Sequence, residues 1–392
     1  MGLNSYFVEQ YTWFNEPSFF NAIAFSSIFA LLLCLACRKT SWLERMGLQP
    51  FSLFVLLSIV RLILPIQLPF SQIVGSWTVL PTIQDFFQFS LFHWQGHNVS
   101  VFYVLVVAWV AGTVILLTRF IWQWVCYIRR TSKYLKAPEE MMEDLKEWIP
   151  DFQGQVCFVE EDSVPHFSGF FRPVIFLPMV DYKIQDLRLI FLHEWQHFRN
   201  HDQWSKLFCY LLCCLFWWNP LIWLLKSKMD QLLELRCDRA VLSKLSREEQ
   251  VAYYAMLLEV YQSIKKQKHS KPEGIPALAS AHSHSIVLQR FQMGRSFSQM
   301  KKQSKALSMA FSVALIVAFF VSYGVIFQPR ELPSEVKDGK YVVNEEMIYA
   351  DFPEGSYLTP NEDGSYTLHC NGEEMIVQDI TEGPVASLPI VE

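Results

Sequence analysis

The chain has 392 residues, of which 52% are hydrophobic and only 18% are charged, and its mean hydropathy is positive. This composition excludes an ordinary soluble protein of the same length, so part of the chain must lie in lipid. The formal net charge of -5, with no basic patch interleaved with aromatic residues, does not predict direct contact with nucleic acid.

Four apolar stretches are long enough to cross a bilayer as helices, because the hydrocarbon core is spanned by about 20 helical residues. They comprise residues 18–37, 51–68, 99–127 and 306–327. We therefore predict an α-helical integral membrane protein with four transmembrane helices. Three of them form an N-terminal membrane region within 1–128, and the fourth occupies 306–327.

The placement of Lys and Arg predicts the orientation of these helices. No basic residue precedes Arg38, and none lies between Arg61 and Arg119, whereas basic residues cluster after the third stretch and before the fourth. Because Lys and Arg are enriched in cytosolic loops, residues 129–305 are predicted to form a cytosolic domain. Both termini are then extracellular, and residues 328–392 form an external tail.

Within the cytosolic domain, residues 155–160 and 174–177 have the pattern of short strands, bounded by Gly and Pro. Apolar residues then recur at steps of three and four from Ile184 to Asn200, which predicts a helix. An α+β domain follows from this order of elements.

That helix contains the motif HEWQH at residues 193–197. Side chains four residues apart lie on one helical face, so His193 and His197 can bind a single zinc ion while Glu194 points at its bound water. Zinc lowers the pKa of such a water, and Glu194 would accept its proton during attack on a peptide carbonyl. The short pattern also occurs by chance in unrelated proteins, so its context matters.

A second apolar run, at residues 207–225, has Lys206 before it and Lys226 after it. Since both ends carry the charge of the cytosolic side, we predict a hairpin that associates with the membrane without crossing it. The following helix carries Glu234 and Asp238 four residues apart, which suits a third zinc ligand and a carboxylate that orients a histidine. A solvated helix carboxylate is the alternative for Glu234.

The chain resembles the membrane metallopeptidases of the BlaR and MecR type, the beta-lactam sensor-transducers of bacterial cell membranes. The resemblance extends from the first helix to about Phe327. It is carried by SVP at 163–165 with SG at 168–169, RPVIFLP at 172–178, HEWQH followed by Asp202, WNP at 218–220, and the segment from Glu234 to Asp238.

This resemblance implies a gluzincin-like fold, with Glu234 completing the zinc site and Glu194 as the catalytic base. Asp202, like Asp238, would then be a carboxylate that supports the zinc ligands without binding the metal. It also implies signalling by proteolysis, in which an external event activates the inner domain. The protein substrate would be the chain itself or a DNA-bound repressor of the BlaI or MecI kind.

The chain departs from the antibiotic sensors after the fourth helix, where they carry a penicillin-binding domain. Residues 334–337, Ser-Glu-Val-Lys, fit the SxxK pattern, but no SDN or KTG element follows them. We therefore expect no acylation by beta-lactams. Segments 340–343, 366–370 and 375–377, with a turn near 361–364, predict a small β-rich module instead.

Two functions of other classes compete with this hypothesis. A housekeeping membrane endopeptidase resembling the HtpX and CAAX-processing enzymes would use the same motif and the same downstream Glu and Asp. A non-enzymatic membrane receptor with a decayed site is disfavoured, because all of these residues are present. The inducing ligand, the scissile bond and homo-oligomer formation are left open by the sequence.

Overall fold

A computed structural model provides the three-dimensional structure. The residues it describes are 16–68, 71–76, 79–94, 97–131, 134–159, 165–180, 182–266, 284–298, 303–329, 341–343, 348–350, 356–361, 364–370, 373–377 and 388–391. Ser334 and its SxxK pattern lie outside these ranges, as do parts of the predicted tail. The chain forms two compact units: one comprises 1–17, 67–101 and 324–392, and the other comprises 18–66 and 102–323.

Twelve helices are formed by the described residues. In chain order they are α1 (Glu16–Arg38), α2 (Thr40–Met46), α3 (Gln49–Ile63), α4 (Val79–Gln88), α5 (Val101–Thr131), α6 (Glu139–Trp148), α7 (Ile184–Arg199), α8 (Asp202–Leu215), α9 (Pro220–Leu242), α10 (Arg247–Lys266), α11 (His284–Ser298) and α12 (Lys305–Gly324).

The strands of the described residues belong to several small sheets. They are β1 (Gln72–Ser76), β2 (Ser90–Trp94), β3 (His97–Ser100), β4 (Leu135–Lys136), β5 (Gln155–Val159), β6 (His166–Ser168), β7 (Val174–Pro178), β8 (Val325–Pro329), β9 (Tyr341–Val343), β10 (Ile348–Ala350), β11 (Tyr357–Pro360), β12 (Tyr366–Cys370) and β13 (Glu373–Val377). In the first unit, β1 pairs with β8 in parallel, β2 pairs with β3, β9 pairs with β10, and β12 lies between β11 and β13.

Helices α1, α5 and α12 are long and apolar enough to cross a membrane, and the bent pair α2 and α3 adds a fourth candidate if it forms one span. The two members of that pair meet at 105°. Two predicted boundaries are wrong. The second predicted span, 51–68, ends as a helix at Ile63, because Pro65 disfavours helical geometry at the residue before it. The fourth, 306–327, ends as a helix at Gly324, because Val325 begins strand β8 and pairs with Gln72.

The second unit has two main hydrophobic cores that share α9. The N-terminal part of this helix, including Leu225 and Leu233, packs in a cluster with α1, α3 and α8. Its C-terminal part, including Cys237 and Val241, packs with α7, α10 and the sheet ordered β4-β5-β7-β6. The part of α9 that carries Glu234 and Asp238 therefore lies where the two cores meet.

Candidate metal centre

Helix α7 brings the two histidines of the HEWQH motif together. His193 and His197 are buried on the same face of the helix, and their Nε2 atoms lie 3.3 Å apart. The spacing of four residues produces this convergence, since such side chains are neighbours along a helix.

Asp202 fixes the ring of His197 through its Nδ1 atom, on the side away from His193. Its Nδ1 atom lies 2.6 Å from Oδ2 of Asp202, which is itself 1% exposed and pairs through Oδ1 with Arg236. A carboxylate only accepts hydrogen bonds, so Nδ1 of His197 carries the proton and donates it. The lone pair of Nε2 is then available to a metal ion.

The ring of His193 is held by a residue that the sequence did not reveal, Tyr253 of α10. The Tyr253 hydroxyl lies 2.7 Å from Nδ1 of His193 and donates to Oδ1 of Asp238 at 2.6 Å. Because that donation uses its only proton, the hydroxyl accepts from the N–H of Nδ1. The Nε2 lone pair of His193 therefore faces its counterpart on His197.

Glu234 approaches the same two nitrogen atoms from α9. Its carboxylate oxygens lie 3.6 Å from Nε2 of His193 and 3.6 Å from Nε2 of His197. The side chain is buried, and Lys206 lies 3.9 Å from it. A hairpin of α8 and α9 thus places this carboxylate beside the histidines of α7.

A thiol also lies in the cluster. Among the described residues, His193, His197 and Cys237 offer ligand atoms within 4.8 Å of one another. The sulfur of Cys237 lies 3.5 Å from Nδ1 of His193 and donates to the His193 carbonyl at 3.3 Å. It therefore faces the ring edge that Tyr253 holds, whereas Glu234 faces the converging Nε2 atoms.

Arg290 of α11 is the second residue that the sequence did not reveal. Its Nε and Nη2 atoms each donate to Asp238 at 2.7 Å, and its Nη1 lies 3.4 Å from Oε2 of Glu234. The neighbouring Gln289 donates to the carbonyl of Cys37 at 3.1 Å, which fixes α11 against the end of α1. An Arg in a segment that alternates apolar residues with Gln, VLQRFQM at 287–293, is the sequence signal that could have indicated a buried ion pair here.

The electrostatics of the site favour positive charge at the histidines. Burial opposes protonation, but Cys237 and Glu234 outweigh it and raise the pKa of His193 to about 10. The pKa of His197 is raised as well, by Cys237, Glu234 and Asp202 against the effect of burial. Burial alone would raise the pKa of Glu234, but the two histidines and Arg290 hold it well below its usual value. A divalent cation would supply this positive charge instead of protons. The Nε2 atoms would then bind the cation in their deprotonated form.

Glu194, the predicted base, follows His193 on α7 and is 9% exposed. In the part of the chain that the structure describes, no side chain pairs with its carboxylate. Its oxygens are thus not engaged in the network that holds the histidines.

Part of the chain is similar to known proteins. Residues 88–294, more than half of the chain, match the family described as BlaR1 peptidase M56. The chain is similar to the regulatory protein BlaR1 of Bacillus licheniformis, with 32% identity over 108 residues, which are 27% of this chain and 18% of that protein.

The chain is also similar to the methicillin resistance mecR1 protein of Staphylococcus aureus, with 25% identity over 182 residues, 45% of this chain and 31% of the relative. For the regulatory protein BlaR1 of Staphylococcus aureus the identity is 23% over 176 residues, 43% of this chain and 29% of the relative. The chain therefore aligns with less than a third of the length of each of these relatives.

Proposed function

This chain belongs to the BlaR1 peptidase M56 family, and from that premise we propose that it is a membrane-embedded zinc peptidase that transmits an external signal by proteolysis. Its substrate is the chain itself or a cytosolic repressor of the BlaI or MecI kind. The observation that supports this most is the pair of buried imidazoles with anchored Nδ1 atoms and converging Nε2 atoms. The inducing event lies outside the membrane.

The residues at the site fit a zinc ion. A Zn–N distance of about 2.0–2.1 Å in a tetrahedral site places two ligand nitrogens roughly 3.3–3.4 Å apart. The Nε2 atoms of His193 and His197 are 3.3 Å apart. His193, His197 and Glu234 would hold the ion, as in a gluzincin-like domain, because the Glu234 oxygens face both of these nitrogens.

Cys237 is the alternative third ligand, and its position argues against it. Its sulfur lies 3.5 Å from Nδ1 of His193, the nitrogen held by Tyr253, whereas the Glu234 oxygens lie 3.6 Å from the Nε2 atoms of both histidines.

When bound, zinc polarises the scissile carbonyl and lowers the pKa of a water molecule. The carboxylate of Glu194, which no described side chain pairs with, would accept the proton of the attacking water and return it to the leaving amine. Asp202 holds His197, and Tyr253 and Asp238 hold His193, in the tautomers that leave Nε2 free. Arg290 pairs with Asp238 and lies beside Glu234, so one guanidinium group contacts two buried carboxyl groups one helical turn apart.

The contacts of the α8–α9 turn support the membrane placement that we propose. Asn219 donates to the hydroxyl of Ser27 at 2.8 Å, in the middle of α1, and Trp109 of α5 donates to the carbonyl of Leu215 at 2.6 Å. The turn thus contacts two candidate membrane helices well inside their ends. These contacts support a hairpin at 207–225 that enters the bilayer and returns, with the peptidase domain, 129–305, on the cytosolic side.

Metal analysis of two variants tests the choice of third ligand. Glu234→Ala should lose zinc from the purified full-length chain, whereas Cys237→Ser should retain it near the wild-type level. The opposite pattern would assign the third position to Cys237. Cleavage of a co-expressed repressor of the BlaI or MecI kind, compared with cleavage of the chain itself, then identifies the substrate.

Topology is tested separately, by labelling introduced cysteines in intact cells with an impermeant reagent. Position 80 should be labelled, and positions 140 and 230 should be protected. Labelling at 230 would mean that the segment 207–225 crosses the membrane, which contradicts the hairpin.

A further inference from the structure

Helix α4 has an apolar stripe that remains largely exposed. Val79, Ile83 and Phe86 are 63%, 45% and 61% exposed, and their spacing of four and three residues puts them on one helical face. Phe89, just beyond the end of the helix, is also 62% exposed. Bulky apolar side chains that line up on an exposed face indicate an interaction surface.

The rest of α4 is divided between a packed side and a polar side. Leu80 and Phe87 are half-buried, and the helix packs against β1 and β8 of the same unit. Asp85 and Gln88 are exposed and lie about 100° or more around the helix from the stripe, whereas the exposed Thr82 borders it. One face of α4 therefore packs on its own sheet, a second face is apolar and exposed, and a third face is polar and exposed.

The position of α4 identifies what covers the apolar face. The carbonyl of Phe89 accepts a hydrogen bond of 3.0 Å from the backbone of Val101, the first residue of the candidate span α5. Strand β8, on which α4 packs, begins at Val325 directly after the candidate span α12 ends. The chain thus connects α4 and the sheet it packs on directly to the ends of two candidate membrane helices.

The scarcity of charge in this segment also favours lipid as the partner of the apolar face. Between residues 64 and 100, Asp85 is the only Asp, Glu, Lys or Arg, and it lies on the polar face. The stripe itself carries no charge, so a charged partner would have no group to bind there. Hydrocarbon and the headgroup boundary fit such a face, since interfacial helices bind by burying one apolar side while the other stays in water.

We propose that α4 is an interfacial helix, with the stripe of Val79, Ile83 and Phe86 buried among lipid acyl chains and Asp85 in water. By the topology proposed above, this is the outer leaflet. Because the stripe is uncharged, its burial does not require anionic lipid. This inference is independent of the proposed peptidase activity.

Photocrosslinking tests it on the full-length chain in phosphatidylcholine nanodiscs. We would place p-benzoylphenylalanine at position 86 or at position 85, irradiate, and detect phospholipid adducts by mass spectrometry. Position 86 should give lipid adducts, position 85 should give at least tenfold fewer, and a quarter of phosphatidylglycerol should not change the yields. Positions 83 and 88 provide the same comparison if a variant at 85 or 86 unfolds at a lower temperature than the wild type.

Equal lipid adducts at 85 and 86 would overturn the proposal, because the two faces would then share one environment. Adducts at 86 to a second copy of the chain, without lipid adducts, would also overturn it and identify a protein interface instead.

Discussion

The hydroxyl of Tyr253 should be needed for tight zinc binding, although it does not face the metal position. Tyr253→Phe removes one oxygen that lies 2.7 Å from Nδ1 of His193 and 2.6 Å from Oδ1 of Asp238. The residue is 0% exposed, so water does not replace the oxygen. The N–H of His193 is then left without its acceptor, and the ring loses the contact that fixes its orientation.

The size of the effect follows from these contacts. A hydrogen bond to a charged group contributes about 1.5–3 kcal/mol and a neutral one about 0.5–1.5 kcal/mol, so the free energy of unfolding should fall by roughly 2–4 kcal/mol. Loss of a group that orients a metal ligand typically weakens metal binding about 10- to 100-fold. Competition with a chromophoric chelator measures the zinc affinity, and thermal unfolding measures the stability.

Tyr254→Phe is the matched control at the next residue. The Tyr254 hydroxyl is buried and, among the described residues, has no hydrogen-bonding partner. Its removal should leave the zinc affinity unchanged and should not lower the stability, because an unsatisfied buried hydroxyl carries a desolvation cost. Equal weakening of zinc binding in both variants, or none in Tyr253→Phe, would refute the assigned role of Tyr253.

Two further predictions concern the surroundings of the site, and a third concerns the first turn of α9. Asp202→Asn should weaken zinc binding in the same competition assay, since the amide can donate to Nδ1 of His197 and so favour the wrong tautomer; wild-type affinity would contradict this. Arg290→Met should lower the free energy of unfolding by about 3–5 kcal/mol, because Asp238 loses its buried partner, whereas the exposed Arg295→Met should not. Asn219→Ala should cost about 0.5–2 kcal/mol in thermal unfolding, since its side chain caps the backbone N–H of Leu221; unchanged stability would argue against the cap.

Local periodicity was sufficient to predict the convergence of the two histidines. His193 and His197 are four residues apart on a buried helix, and helical geometry leaves few alternatives for their side chains. The position of Glu234 needed one more step, the inference that the intervening apolar run returns to the same side. The roles of these residues in zinc binding and catalysis stay predictions.

Contacts between distant segments could not be predicted from the sequence. Tyr253 and Arg290 come from separate helices, α10 and α11, whose rotation toward the site is set by tertiary packing. The same cause explains the misplaced end of the fourth predicted span, since the pairing of Val325 with Gln72 joins residues far apart in the chain. Cys237 is three residues from Glu234 and so lies on the same side of α9, but its approach to His193 depends on the packing of α9 against α7.

The central claim is that Glu194 is the base of a zinc peptidase whose metal ligands lie beside it. Glu194→Gln keeps the shape of the side chain but removes its ability to accept a proton. The most direct test measures, in one preparation of the full-length variant, both the zinc content and the cleavage of the chain or of a co-expressed repressor. We predict wild-type zinc content with cleavage reduced by about 10²–10⁴-fold, the usual contribution of general acid–base catalysis. Undiminished cleavage by the zinc-loaded variant would contradict the account.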